Sequence, residues 1–231
     1  MADASMRFIA RIHTAFPEKF GIPRQSGLAP SLRARIVFEP EFRRPEALRG
    51  LEGFSHVWLI WQFSEAVRDT WQPTVRPPRL GGNARMGVFA TRSPFRPNSI
   101  GLSAVKLEGI EWDAPDGPAL LVSGADLLDG TPLFDIKPYI PFADCLPDAV
   151  GGFAAERPEG LLTVSLPEAV AARLPEAEAA ALCEVLACDP RPSYQHDPER
   201  VYGMAFGAYN VTFTVDGDAL TVTDILPRGA F

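Results

Sequence analysis

A mainly β N-terminal domain, antiparallel and barrel-like and not a Rossmann sheet, followed by a small α+β domain, is the fold this sequence predicts. Three observations carry it. Short apolar segments rich in aromatic and β-branched residues recur along residues 1–143. They are spaced as in an antiparallel barrel or sandwich and do not alternate with helices as βαβ units would. The charge balance then shifts: residues 1–143 carry 17 basic and 15 acidic side chains, and residues 144–231 carry 5 and 14, balances of +2 and −9. Around that shift the sequence PFADCLPDAVGGFAAERPEG reads as a linker, which divides the chain into domains 1–143 and 144–231.

In order along the first domain, residues 8–12, 34–38 and 56–61 predict strands, as do 86–91, 102–110 and 120–124. Residues 45–51 break the series with a short helix opened by Pro45. In the second domain, Ser165 is placed to cap a helix starting near Pro167, with Glu168 in its first turn. Pro175 opens another through AEAAALCEVLA, and Asp189-Pro190-Arg191-Pro192 ends it. Residues 209–215 and 219–225 flank Asp216-Gly217, a two-residue hairpin signal.

At 231 residues, 46% hydrophobic and mean hydropathy near zero, the composition is that of a soluble globule able to bury a core. The 23 prolines and 19 glycines favour strands and loops over long helices. No apolar run approaches the roughly 20 residues of a membrane span. The opening MADASMRFIARIHT lacks the charged-then-apolar pattern of a signal peptide. Cys145, Cys183 and Cys188 are an odd number without CxxC spacing, which predicts a reduced, cytoplasmic setting and no zinc site. His13, His56 and His196 are scattered and read as structural hydrogen bonders.

Common catalytic fingerprints are missing. No GxGxxG follows a strand, LGGNARMG at 80–87 lacks a P-loop Lys-Ser/Thr pair, and neither GxSxG nor HExxH occurs. The notable stretch is RPPRLGGNARMGVFATRSPFRPNSIGLSAVK at 76–106, with six basic residues and no acid in a chain of net charge −7. Glycines there permit close backbone approach and prolines fix the loop. Such a loop suits an anionic or polar ligand, with a solvated surface loop as the alternative. A second polar cluster holds Asp126, Asp129, Asp135 and Lys137 within twelve residues. A turn accounts for its aspartates, and no metal is expected.

Several segments resemble the TrmO family (YaeB or TsaA-like proteins). They are PRQSGL at 23–28, LRGLEGFSHVWLIWQF at 48–63, the run at 76–103 with ATRSPFRPN inside it, DLLDGTPLFDIKPYIPFAD at 126–144, DPRPSY at 189–194 and Val201-Tyr202-Gly203. The resemblance implies an S-adenosylmethionine-dependent tRNA methyltransferase. Its acceptor would be the exocyclic nitrogen of threonylcarbamoyladenosine, the modified base beside the anticodon. It implies a homodimer and a barrel-like cofactor domain. By match to the family, Ser26, Gly27, Leu28, Ser64, Glu65, Arg92, Leu102 and the Ala125, Asp126, Leu127, Leu128 stretch would bind cofactor. Glu65 would take hydrogen bonds from ribose or amino group, or be an exposed acid at a strand end. Asp126 and Asp135 are candidate proton acceptors, with Lys137 or Tyr139 positioning, against the alternative of turn-forming acids and a packed tyrosine. Arg92, Arg96 and Asn98 would meet the acceptor, an arginine pairing with its threonyl carboxylate. Two other classes stay open: a non-catalytic regulatory protein binding S-adenosylmethionine or a nucleoside, and a methyltransferase with a different acceptor.

Overall fold

A computed structural model of the chain describes residues 5–155, 161–192, 195 and 197–229. Its first part is a closed barrel of six strands. These are β1 (Ala10–His13), β2 (Arg33–Phe38), β3 (His56–Gln62), β6 (Ile100–Glu111), β7 (Ala119–Ser123) and β8 (Thr131–Pro138), in the order β1-β2-β7-β6-β3-β8. Every neighbouring pair is antiparallel. Alternation fills the barrel: Ile12, Ile36, Val57, Leu59, Val105, Leu120, Val122 and Leu133 are buried, and on β1, β2, β3 and the first half of β6 the residues between the buried ones are more exposed.

Two irregularities matter for the site. On β8 the register with β3 steps from Ile60↔Asp135 to Trp61↔Leu133, leaving Phe134 as an extra residue. On β6 it steps from Leu107↔Val122 to Gly109↔Leu121, leaving Glu108 extra. Glu108 then accepts a 2.6 Å hydrogen bond from the Ser123 hydroxyl, which with Lys106 and Arg33 nearby holds its carboxyl below the usual range.

The chain between β3 and β6 has little regular structure. Residues 86–91, expected as one strand, form only β5 (Met86–Gly87), paired with β4 (Thr74–Val75), then a 3-10 turn at Val88–Ala90. Thr91 turns back to bond the Val88 carbonyl through its N–H and its hydroxyl, which ends the extended stretch. The expected helix at 45–51 is α1 (Pro45–Leu48) plus a 3-10 turn at Leu51–Gly53. β8 is a strand in a region read as a polar turn: Asp129 and Gly130 do turn, but Asp126 lies in the irregular stretch before them and Asp135 and Lys137 lie on the strand.

After α2 (Pro141–Asp144) comes the α+β part. Its sheet runs β10-β11-β12-β9, from β9 (Thr163–Ser165), β10 (Tyr202–Phe206), β11 (Tyr209–Asp216) and β12 (Ala219–Pro227). Ser165 ends β9 and caps nothing; α3 (Glu168–Ala171) follows Pro167 without a side-chain cap. The hairpin turn is Gly217-Asp218, one residue later than expected, because Gly217 (φ 55°) takes the first turn position. α4 (Glu176–Ala187) buries Leu182, Val185 and Leu186 against this sheet. The same core takes in Phe16, Ala29 and Leu32 from the loop between β1 and β2. The Glu184 carboxylate clamps that loop, accepting from the Ser31 N–H at 2.7 Å and hydroxyl at 2.8 Å. His196 and the Ser193-Tyr194 end of DPRPSY lie outside the described residues.

Candidate functional site

β3 and β6 lie side by side, with Trp61 opposite Gly101 and Ile60 opposite Leu102. A cavity of about 810 Å³ opens at this end of the pair, which is within the range of small-molecule sites. The Ile22–Gln25 loop, the turn at 64–66, the 91–98 loop and the Asp126–Leu128 stretch complete its wall. The glycine is required: a Cβ at Gly101 would sit 2.2–2.6 Å from the Trp61 ring.

The stretch after β7 alternates like a strand. Ala125 and Leu127 are buried in the barrel core, so Asp126 and Leu128 face the cavity. Asp126 is gripped from below. Ser103, on the inward phase of β6, donates to its Oδ1 at 2.6 Å, and the Trp61 Nε1–H donates to the Ser103 oxygen at 3.1 Å. Indole nitrogen only donates, so the single serine proton is left for Asp126. Burial pushes the Asp126 carboxyl up from its ordinary value. The Ser103 hydroxyl, its own backbone N–H, the Arg92 charge and the Ser26 N–H pull the other way. The net effect is a carboxyl held above its ordinary value by burial, with those four contacts limiting the rise.

The 91–98 loop forms the cationic side. The Arg92 guanidinium donates to the Gln25 side-chain oxygen, tying the two loops together, and Arg96 Nη1 donates to the Thr91 carbonyl at 3.1 Å. Arg68 lies over the Phe95 ring at 3.9 Å. Glu65 pairs with Lys19 at 3.0 Å in an exposed contact worth at most about 1 kcal/mol.

Of the residues singled out from the sequence, Ser64, Glu65, Arg92, Arg96, Asn98, Leu102, Asp126 and Leu128 line this one cavity. Ser26 reaches it through its backbone at Asp126, whereas Gly27 binds the Gly124 carbonyl at 2.8 Å and Leu28 lies under Cys188. Asp135, Lys137 and Tyr139 are elsewhere. The extra residue Phe134 switches the phase of β8, so Ile136 points inward opposite Leu59 and Asp135 and Lys137 point out. There they pair with each other at 3.0 Å. Tyr139 packs against Trp58 and His56 on the same outer wall. Sequence reading missed Trp61, Ser103 and Gln25. Ser103 left one trace, a hydroxyl in phase with Gly101, Val105 and Leu107. Among the described residues, no group of three His, Cys, Asp or Glu could hold a metal, and no helix is long and apolar enough to cross a membrane.

The donor set suits a nucleoside-bearing sulfonium. Trp61, Phe63 and Phe95 offer aromatic faces, Asp126 and Glu65 negative charge, and Arg92 and Arg96 partners for a carboxylate.

Comparison with known proteins gives the family. Residues 11–145 match the model of the tRNA-methyltransferase O N-terminal domain, and residues 159–228 that of the TrmO C-terminal domain. The tRNA (adenine(37)-N6)-methyltransferase of Escherichia coli K12 is 41% identical over 99% of this chain and 100% of its own. That of Eikenella corrodens is 52% identical over 71% of this chain and 92% of its own. A crystal structure of TrmO from Pseudomonas aeruginosa superposes with a TM-score of 0.80 at 39% identity, covering 98% of each chain. The chain belongs to the tRNA-methyltransferase O family.

Proposed function

We propose that this chain methylates the exocyclic nitrogen of adenine 37 in tRNA, using S-adenosylmethionine, and that the adenine it accepts carries a threonylcarbamoyl group. One observation carries the reading: a half-buried carboxylate, Asp126, and two arginines, Arg92 and Arg96, line a single cavity. When bound, S-adenosylmethionine supplies an electrophilic methyl group on its sulfonium. Trp61, Phe63, Leu102, Leu128 and Glu65 would hold it, with Ser26, Gly27, Leu28, Ala125 and Leu127 shaping the wall behind. The acceptor nitrogen is ureido-like and must lose a proton. Asp126 is the cavity carboxylate assigned to take it, and Ser103 keeps that carboxylate oriented. Asp135, Lys137 and Tyr139 serve the outer wall in this reading. Arg92 or Arg96 would pair with the threonyl carboxylate, with Asn98 beside it.

Residues 1–143 act as the cofactor-binding domain and 144–231 as an α+β domain, a division supported by the two family matches, with the loop between β1 and β2 shared into the second core. The working form is a homodimer in the cytoplasm. Phe142, Leu146 and Val150, 91%, 71% and 92% exposed between the domains, support a second copy covering this segment.

The test is methylation of one tRNA purified from strains with and without the upstream threonylcarbamoyl modification. Turnover should collapse without the group while binding changes little. Equal rates would remove Arg92 and Arg96 from acceptor recognition. Binding of S-adenosylmethionine without any turnover would instead favour a regulatory protein.

A further inference from the structure

The connection between β3 and β6 concentrates positive charge. Residues 63–99 hold six basic side chains against two acids, Glu65 and Asp69. Two large rings stand in this field outside either core: Trp71 is 47% and Phe89 is 72% exposed. Their centroids are 6.0 Å apart with planes 32° apart. The small β4–β5 ladder brings them together, through Thr74↔Gly87 and Val75↔Met86 and a 2.9 Å bond from the Val88 N–H to the Pro73 carbonyl. Arg85 belongs to the same hairpin, with its Nη1 3.4 Å from the Thr74 hydroxyl. Backbone bonds therefore hold an apolar pair in water beside guanidinium groups. Proteins that grip single-stranded nucleic acid use this combination, with cations on the phosphates and rings under the bases.

Position ties the pair to the catalytic cavity. Thr91 lines the cavity, and Phe89 is two residues before it, at most about 7 Å of chain away. The ring separation leaves too little room for a base between the two, because a base needs about 3.4 Å on each side. A base would have to lie on the open face of Phe89. A second protein copy fits poorly: two rings cover a few hundred Å² where a stable interface needs about 1,000 Å² or more, and arginines would face arginines.

We infer that Phe89, backed by Trp71, is a stacking platform for an unpaired RNA base next to the nucleotide held in the cavity, with Arg85 beside it for a backbone phosphate. The inference rests on the proposed tRNA reading and adds the surface that steadies the neighbouring nucleotide.

The experiment uses the full chain and two anticodon stem–loop RNAs carrying 2-aminopurine immediately 5′ or 3′ of the target adenosine. Wild type should quench the fluorescence of one of them. Phe89→Ala and Phe89→Leu should both abolish that quench and weaken RNA binding roughly five-fold or more, the loss of one base–aromatic stack. Phe89→Trp should keep it. Thermal melting and the affinity for S-adenosylmethionine should not move, since Phe89 is outside the core and the cavity. Full retention of quench and affinity by Phe89→Ala overturns the inference, as does retention by Phe89→Leu, which would mean simple apolar contact. A change of oligomeric state in Phe89→Ala by sedimentation overturns it too, in favour of a second copy. A wild type that methylates tRNA beside a silent Phe89→Ala sinks only this inference. A wild type that neither binds nor methylates tRNA sinks the proposed function.

Discussion

In the proposed reading Asp126 takes the proton; Ser103 donates to it, and Trp61 donates to Ser103. Asp126→Asn keeps the shape but loses the proton acceptor, so kcat should fall about 10²- to 10⁴-fold with cofactor affinity largely kept. Stability gives a second readout. Burial raises the folded-state pKa of Asp126 above its ordinary 3.8, so its ionised form costs stability above that raised value and nothing below 3.8. The melting temperature of Asp126→Asn relative to wild type should therefore improve as pH rises from 3 to 7. Arg92→Ala should cost about 1.5–3 kcal/mol in kcat/KM, and Arg92→Lys should recover little, because a lysine cannot reproduce a two-pronged contact. Gly101→Ala forces a methyl into the Trp61 ring and should lower stability by about 1–3 kcal/mol in a melt. Much of this was readable at the residue level. ATRSPFRPN and DLLDGT pointed to Arg92, Arg96, Asn98, Asp126 and Leu128, and these share one cavity. Ser103 was not, because its importance comes from facing Asp126 across the barrel wall, 23 residues away in sequence.

The barrel strands announced themselves by alternation, and the exceptions have local causes. Residues 131–138 carry two prolines and two charges, so they read as a turn. They become β8 because β3 and β1 offer partners on both sides, an effect of tertiary pairing that no local pattern carries. The extra Phe134 was equally invisible, yet it turns Asp135 and Lys137 away from the cavity. Residues 86–91 erred the other way, with a strand-like composition and only two residues to pair with. A buttress between elements can be tested directly. Arg35 on β2 reaches Glu111 at the end of β6 with Nε at 2.6 Å and grips Asp116 in the following turn through two 2.7 Å bonds. The guanidinium holds the Asp116 carboxyl down to about 2 from 3.8. A depressed carboxylate stabilises above its unfolded pKa and stops doing so as pH falls through the folded one. Arg35→Ala should therefore melt earlier than wild type near neutrality, with the gap closing between pH 3.8 and about 2.

Taken whole, the molecule is acidic, with net charge −7, and places six of its 22 basic side chains in the connection that borders the cavity. Such a protein gains little from nonspecific attraction to nucleic acid, so its tRNA affinity should depend on a few phosphates. Removing a phosphate partner such as Arg76 or Arg85 should lower the slope of log affinity against log salt by about one, read from titrations at several salt concentrations. The segment of chain that ties β1 to β2 packs into the C-terminal core through Phe16, Ala29 and Leu32, and between them passes the cavity at Gln25. The acidic domain thereby supports one wall of the site. Sequence reading found the charge boundary but not this sharing, since a loop that crosses between cores has no period of its own. The most direct test of the account is mass spectrometry of nucleosides from threonylcarbamoyladenosine-bearing tRNA incubated with S-adenosylmethionine and either wild type or Asp126→Asn. Wild type should convert that nucleoside to a form one methyl group heavier, and the folded, cofactor-binding Asp126→Asn protein should leave it unchanged. An unmethylated nucleoside with wild type, or equal conversion by the variant, would contradict it.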